Sequence, residues 1–367
     1  MKESNNFETR AIRDQMERTQ YKEHSAPMFL TSSYMFDSAE HAKALFDEDI
    51  QGNVYGRYTN PNTEEFIHKM SVLEGTEAGF GTATGMAAVF VSMAALLKAG
   101  DHILVCKSVF GSTVQIINNI FSEWGIESDF LDIYHQENWG DYFKPNTKML
   151  MLETPSNPAL DLVDLEYVSK LCRSHDVLLN VDNCFPTPYL QQPKKFGADI
   201  ITHSATKFID GQGRVLGGAV LGSAEIIDKV RFFCRHTGPT MAPFNAWMLS
   251  KSLETLAVRM DRHCENALKL AQQLEGHPAI ERVLYPHLPS HPQHELAKKQ
   301  MKAGGGIVSF ILKGGLEQGQ RFLNANENLS HGVNLGDTRT IITHPSSTTH
   351  SKLTEEERLA CSALSNI

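Results

Sequence analysis

The clearest indication of the fold comes from residues 177–207, which read VLLNVDNCFPTPYLQQPKKFGADIITHSATK. Two short apolar runs, 177–181 and 200–202, lack the alternation of half-exposed strands, which is typical of strands buried on both faces. Similar apolar runs recur along the chain, at 103–106, 148–152 and 218–221. Helix-like segments separate several of them, at 113–124 and 165–175. This alternation predicts a parallel, doubly wound α/β sheet.

The composition is that of an ordinary globular protein, and it excludes several functional classes. Of the 367 residues, 41% are hydrophobic and 21% are charged, and the net charge is −9. No run approaches the ~20 apolar residues of a membrane span, and the N-terminus has no apolar signal segment. The scattered Lys and Arg argue against a nucleic-acid-binding face. The six cysteines and the histidines lack metal-site spacing, so we expect reduced thiols, no metal and a cytoplasmic protein.

Three parts of the chain differ in composition. Residues 1–55 carry many charges and little periodicity, so we expect an N-terminal arm that lies on the rest of the chain or on a neighbouring subunit. Residues 56–240 hold the strand–helix alternation. Residues 241–367 are predicted to form a smaller α/β domain, with long helices over 241–274 and a glycine-led strand at 304–312. Thr354 and Glu357 have the spacing of a capping box for a last helix.

Two candidate chemical groups follow the predicted strands, at the edge where open parallel sheets bind ligands. Asp182 comes directly after the run 177–181, and Lys207 lies shortly after the run 200–202. A carboxylate at that edge can hold a cationic nitrogen. A partly desolvated lysine amine suits a nucleophile or a Schiff base. Taken alone, Asp182 could equally cap the next turn, and Lys207 is more simply a surface lysine.

Small and hydroxylated residues could complete a ligand site at the same edge. Residues 81–87 lead into a predicted buried helix at 85–97, whose N-terminus would attract a phosphate. Ser204 and Thr206 can donate hydrogen bonds to an anion. In 153–158, ETPSNP, two prolines stiffen a turn that could present Asn157. Close packing and a simple turn are the alternatives. Together, the lysine, acid, phosphate cup and hydroxyls are the groups that pyridoxal 5′-phosphate needs.

Six motifs are spread along the chain: Tyr55–Asn62 (YGRYTNPN), Gly85–Ala88 (GMAA), Glu153–Pro158 (ETPSNP), Asp182-Asn183, Ser204–Lys207 (SATK) and His344–His350 (HPSSTTH). With them, the chain resembles the Cys/Met metabolism family of pyridoxal-phosphate enzymes over nearly its whole length. The resemblance implies the PLP-dependent transferase fold of type I. That fold has a mostly parallel seven-stranded sheet and a smaller C-terminal α/β domain.

The same resemblance implies a role for each motif residue. Lys207 would bind the cofactor aldehyde and move protons, and Asp182 would pair with the pyridine nitrogen. The phosphate would be held by four residues, Gly85, Met86, Ser204 and Thr206. Phe110 would stack on the ring, where many relatives have Tyr, and Asn157 would lie near its phenolic oxygen. Tyr55 and Arg57 would reach the phosphate of an adjacent subunit, which implies a homodimer or homotetramer with shared active sites.

Within the family, four segments look most like the O-succinylhomoserine sulfhydrylases: 109–113, 204–218, 238–247 and 334–337. The implied reaction is a γ-replacement in methionine biosynthesis, in which O-succinyl-L-homoserine and sulfide give L-homocysteine and succinate. Three alternatives stay open. They are a γ-lyase acting on methionine or cystathionine, a cystathionine γ-synthase, and a subunit that binds the cofactor without catalysing a reaction. The choice between succinyl and acetyl substrates also stays open.

The C-terminal end of the sequence departs from the family pattern. Family members continue into a strand with an Arg-Leu-Ser-Val-Gly pattern, whose arginine binds the substrate α-carboxylate. This sequence ends at Asn366-Ile367 without that pattern, and Arg339 is not an obvious replacement. We therefore expect the C-terminal domain to end early and to lack this bidentate clamp.

Overall fold

The computed structural model describes residues 6–348 of the chain. The motif 344–350 lies only partly within this range. The predicted capping box at Thr354 and Glu357, and the end of the chain at Asn366-Ile367, lie outside the described residues.

The helices of the described range are α1 (Phe7–Arg13), α2 (Ala39–Phe46), α3 (Pro61–Glu74), α4 (Gly85–Ala94), α5 (Gly111–Ile116), α6 (Leu165–Ser174), α7 (Thr187–Leu190), α8 (Ala224–Thr237), α9 (Pro243–Leu253), α10 (Leu256–Glu275), α11 (His294–Gln300) and α12 (Gly315–Asn324). Helix α5 continues into a π-helical turn, Ile117–Phe121. Short 3₁₀ segments occur at Ile133–Tyr142, Pro193–Phe196 and Pro345–Ser347.

The strands are β1 (Ala78–Thr82), β2 (His102–Cys106), β3 (Glu127–Leu131), β4 (Thr147–Glu153), β5 (Leu178–Asp182), β6 (Ile200–Ser204), β7 (Gly218–Gly222), β8 (Ile280–Leu284), β9 (Ser309–Leu312), β10 (Ser330–His331) and β11 (Ile341–Ile342). Seven of them form one sheet in the order β1-β7-β6-β5-β4-β2-β3. Two small sheets, β8-β9 and β10-β11, lie in the C-terminal part.

The mostly parallel seven-stranded sheet is confirmed, with one reversal that the apolar runs did not indicate. Strands β3, β2, β4, β5 and β6 are mutually parallel. Strand β7 runs antiparallel to β6 and to β1. All residues of β2 and β7 are buried, as expected for strands covered on both faces.

Helix α4 is nearly as apolar as the sheet on which it packs. Its sequence, GMAAVFVSMA, contains no charge, and most of its residues are buried. The Thr84 side chain caps the helix by accepting the Ala87 N–H at 3.0 Å. The cap fixes the start of α4. There Gly85, its first residue, packs against Ser204 at the end of β6.

The C-terminal part begins with two helices, α9 and α10, in the region 241–274 that was predicted to be helical. The predicted glycine-led strand at 304–312 is shorter than expected, because only Ser309–Leu312 pairs with β8. Gly304 packs on the ring of Tyr285, and Gly305 has φ +90°, which is not extended backbone. The glycines therefore form a bend before the strand.

Candidate active site

Three polar residues lie side by side at the carboxyl edge of the central sheet. Glu153 ends β4 and pairs in register with Asp182, which ends β5. Asp182 in turn pairs with Thr202 of β6. The chain then leaves β6 through Ser204 toward Lys207. Parallel strands end at one edge, so the sheet brings together residues that are far apart in sequence.

Lys207 lies in a turn that the backbone fixes tightly. The Ala205 N–H donates to the Gly217 carbonyl at 2.9 Å, and the Asp210 N–H donates to the Ala205 carbonyl at 2.9 Å. The Lys207 side chain is half-buried, and its Nζ donates to Asn334 Oδ1 at 2.7 Å. The amine is therefore held in one place, which favours a chemical role over that of a loose surface lysine.

The Asn334 contact depends on a close approach by the C-terminal part of the chain. Gly336 has φ +84°, and a Cβ there would lie 2.6 Å from the Lys207 carbonyl carbon. Only glycine allows the segment 334–337 to pack on the lysine in this way. The segment 334–337 was one of the four segments that resembled a subgroup of the family, but Asn334 itself was given no role.

An acidic pair, the buried Glu153 and the half-buried Asp182, lies beside Lys207. Burial raises the pKa of both carboxyl groups, and the charge of Asp182 raises the pKa of Glu153 further. Asp182 Oδ1 accepts the Cys184 N–H at 3.1 Å, so the turn-capping alternative holds as well. A buried carboxylate of this kind favours a cationic ligand group.

Glu153 is a site residue that the sequence did not single out. Its Oε2 accepts the Phe110 N–H at 2.9 Å, which ties the start of α5 to the end of β4. Phe110, the residue that precedes α5, is 47% exposed. Glu153 could have been identified from the sequence by its place in the ETPSNP motif, at the end of an apolar run.

Gly85 and Ser204 form the base of an anion cradle. A Cβ at position 85 would lie 2.5 Å from Ser204 Oγ and 2.7 Å from Ser204 Cα. Because Thr84 satisfies the Ala87 N–H, the amides of Gly85 and Met86 are left for an anion at the helix N-terminus. Thr206 Oγ1 instead contacts the Gly217 backbone, accepting its N–H at 3.2 Å.

Replacing Gly85 with alanine is expected to weaken phosphate binding by roughly 10²-fold and to destabilise the fold by about 1–3 kcal/mol, because the new methyl group clashes with the Ser204 backbone. Cofactor retention during dialysis and thermal unfolding measure the two effects. Gly276→Ala is the matched control, since nothing lies within 4 Å of a Cβ there. Equal behaviour of the two variants would contradict the cradle.

Two predicted site residues, Tyr55 and Arg57, make their contacts elsewhere in the single chain. Arg57 stacks on Tyr55 at 5.3 Å and on Tyr58 at 4.9 Å, and it donates to the Arg235 carbonyl. Tyr55 bridges Ser33 and is 43% exposed. Within residues 6–348, none of these contacts reaches the lysine or the acidic pair.

Asn157 and Arg339 are two further predicted or considered site residues, and no hydrogen bond described for residues 6–348 links them to Lys207. Asn157 is half-buried, and its bond to Pro158 is cis. Arg339 is mostly exposed and pairs with Asp337, with Nη2 2.8 Å from Oδ2. That pairing lowers the pKa of Asp337 to about 2 and raises the pKa of Arg339. Arg339 is thus engaged in an ion pair with Asp337.

The site as a whole fits pyridoxal 5′-phosphate. It offers a fixed lysine amine for an aldehyde, a half-buried acid for a ring nitrogen and, for an anion, a helix N-terminus packed against the Ser204 hydroxyl. The profile of the Cys/Met metabolism PLP-dependent enzymes matches residues 8–367. This chain belongs to that family. It is therefore a PLP-dependent enzyme, and the resemblance drawn from the motifs is confirmed.

Known members of the Cys/Met metabolism family align along most of the chain. An O-succinylhomoserine sulfhydrylase from Pseudomonas aeruginosa is 47% identical over 352 residues, covering 96% of this chain and 87% of the relative. An L-methionine gamma-lyase from Treponema denticola is 42% identical over 347 residues, covering 94% and 86%.

A solved structure agrees with the fold and the cofactor. A Campylobacter jejuni protein assigned as an O-acetylhomoserine (thiol)-lyase carries N′-pyridoxyl-lysine-5′-monophosphate. It superposes with a TM-score of 0.94 at 31% identity, covering 98% of this chain and 94% of that one. The expected type I fold is therefore confirmed. Among residues 6–348, no helix is long and apolar enough to cross a membrane, and no cluster of His, Cys, Asp or Glu could hold a metal ion.

Proposed function

We propose that this family member catalyses the γ-replacement of O-succinyl-L-homoserine by sulfide, giving L-homocysteine and succinate in methionine biosynthesis. The observation that carries the proposal is the Lys207 amine, which Asn334 holds at the carboxyl edge of the sheet. Glu153 and Asp182 end neighbouring strands at that edge, and Glu153 accepts the Phe110 N–H. The 47% identity to an O-succinylhomoserine sulfhydrylase supports the same reaction.

When bound, pyridoxal phosphate supplies an electron sink for the charge that forms as the substrate α-proton leaves. Asp182 would keep the ring nitrogen cationic, and Gly85, Met86, Ser204 and Thr206 would hold the phosphate. Lys207 would take the α-proton of the substrate and then act as acid and base at the β-carbon. The γ-carbon–oxygen bond breaks, succinate leaves, and sulfide forms the new γ-carbon–sulfur bond. Asn334 would keep the free amine in reach.

The side chain at position 110 favours a carboxylate leaving group. Phenylalanine has no proton to donate, whereas a tyrosine hydroxyl could act as a general acid. Succinate is the anion of an acid with a pKa near about 4 and leaves without protonation. A thiolate, whose acid has a pKa of about 8.5 or more, benefits from a donor. The site is therefore better suited to O-succinylhomoserine than to methionine.

A γ-lyase is the second candidate, supported by the 42% identity to an L-methionine gamma-lyase. An assay of the products separates the two activities. Purified enzyme with O-succinyl-L-homoserine and sulfide should release homocysteine and succinate in equal amounts. Release of a 2-oxo acid and ammonia from methionine at a greater kcat/KM would favour the lyase instead.

Phe110→Tyr is expected to raise elimination from methionine by roughly 10- to 100-fold, because the new hydroxyl can protonate the departing thiolate. The turnover of O-succinyl-L-homoserine should change by less than about threefold, since succinate needs no proton. Steady-state kinetics with both substrates give the ratio. Phe110→Leu is the control, which removes the ring without adding a donor. An unchanged ratio in Phe110→Tyr would contradict the leaving-group argument.

We also propose that a second copy of the chain completes the site, in a homodimer or a homotetramer. Tyr55 and Arg57 would then reach the phosphate of the neighbouring subunit. Large apolar side chains on the N-terminal arm support such an interface, since Leu30 is 68% exposed and Met35 94%. Mass photometry of the purified protein tests this, and a monomer at working concentration would contradict it. The five buried free cysteines of residues 6–348 support a cytoplasmic location, which cell fractionation tests.

A further inference from the structure

A buried pair of side chains near Asp182 has no part in the proposed reaction. His203, on β6, and Glu74, at the end of α3, have fully buried side chains, and His203 Nε2 lies 2.7 Å from Glu74 Oε1. The pair lies directly next to the strand ends that carry the active-site groups.

Glu74 connects the two strands that carry the site. Its Oε1 also accepts a hydrogen bond from Asn183 Nδ2 at 2.7 Å. The Asn183 N–H donates to the Thr202 carbonyl at 3.0 Å, and Asp182 pairs in register with Thr202. Glu74 therefore contacts Asn183, which directly follows β5, and His203, which lies on β6.

Glu74 and His203 place an acid and a base in contact inside the protein. A buried carboxyl group needs a polar partner, and His203 is the basic side chain at hydrogen-bonding distance of Glu74. The other titratable groups around Asp182 are Glu153 on β4, which would repel its charge, Lys207 after β6, which the cofactor would engage, and Cys184 beyond β5.

The charge of His203 acts on Asp182. Burial raises the pKa of the Asp182 carboxyl, and the nearby His203 charge opposes that rise. A packing role alone does not account for the histidine, because its Nδ1 has no hydrogen-bond partner within the described part of the chain. A buried polar atom without a partner costs about 1–3 kcal/mol, and an apolar side chain would avoid that cost.

We propose that Glu74 and His203 are positioning residues that keep the Asp182 carboxylate ionised and aligned with the ring nitrogen of the cofactor. Glu74 fixes the imidazole and stabilises its charge, and His203 prevents the proton of the ring nitrogen from moving to Asp182. The inference rests on the proposed cofactor site, and it does not depend on which amino acid is the substrate.

The test measures the protonation of the ring nitrogen directly. Holoenzyme is prepared with pyridoxal phosphate labelled with nitrogen-15 in the ring, and its NMR resonance is recorded at neutral pH without substrate. We expect a protonated nitrogen in the wild type and a resonance shifted toward neutral pyridine in His203→Gln and in Glu74→Gln. In both variants kcat should fall by about tenfold, the factor of one pKa unit, with KM changed less than about twofold.

His102→Gln is the matched control. His102 is equally buried and lies near an acid, with Nε2 3.2 Å from Asp129 Oδ2, but it lies at the opposite end of the sheet, at the start of β2. His102→Gln should lower the stability of the protein but leave the ring nitrogen of the cofactor protonated.

A wild-type resonance in His203→Gln would overturn the proposal, as would an equal shift in His102→Gln. If His203→Gln yields no folded holoenzyme, Glu74→Gln, which keeps the shape of the side chain, decides by the same criterion. Failure of the proposed γ-replacement would appear separately, as missing homocysteine from an enzyme whose nitrogen responds as expected.

Discussion

Lys207→Ala is expected to lose covalent attachment of the cofactor and to lower kcat by at least about 10⁴-fold. Lys207 is the amine that the sheet edge and Asn334 hold in position, and the proposed reaction uses it both to bind the aldehyde and to move protons. The visible absorbance of the purified protein reports the attachment, and homocysteine release reports the turnover.

Lys107→Ala is the appropriate comparison for that variant. Lys107 directly follows β2, so it is a half-buried lysine at the same edge of the sheet. It should keep the cofactor band and most of the activity. If Lys107→Ala loses the band while Lys207→Ala retains it, the assignment of the lysine is wrong.

Asp182→Asn should bind the cofactor but reduce kcat by roughly 10²- to 10³-fold, because a neutral amide no longer stabilises a cationic ring nitrogen. The amide oxygen can still accept the Cys184 N–H, so the turn after β5 should persist. Steady-state kinetics and the cofactor spectrum together separate a loss of electron withdrawal from a loss of binding.

Asp199→Asn controls for the loss of one carboxylate from the same pair of strands. Asp199 precedes β6, at the end of the sheet away from the cofactor, and its Oδ2 accepts the Leu179 N–H at 2.9 Å. Its activity should stay within about threefold of the wild type. Full activity in Asp182→Asn would show that the reaction does not need a charged partner at this nitrogen.

The sequence was sufficient to predict the buried strands and the groups at their ends. The runs 103–106, 148–152, 200–202 and 218–221 lie within strands of the large sheet, and the run 177–181 overlaps β5 except for Val177. Two strands gave no apolar run. In β1, AGFGT, two glycines make room for Leu221, Ile67 and Thr63. In β3, ESDFL, polar side chains are tolerated because the strand lies at the edge of the sheet.

The missed site residues have a common physical reason. Asn334 meets Lys207 across 127 positions, and Glu74 meets His203 across 129. Neither contact leaves a local pattern, because each is made only when distant elements pack. Glu153 is local to a motif, but its role depends on the register that sets it beside Asp182. Residue types and strand ends can be predicted from the chain, whereas the partners that tune them require the fold.

The proposed reaction requires a bond between Lys207 and the cofactor. Reducing the purified holoenzyme with borohydride makes that bond permanent, and digestion followed by mass spectrometry then locates the label. We expect one phosphopyridoxyl group per chain, on the peptide that contains Lys207, and its loss when O-succinyl-L-homoserine is added before the reductant. A label on another lysine, or no label on a protein that retains its cofactor, would contradict the account.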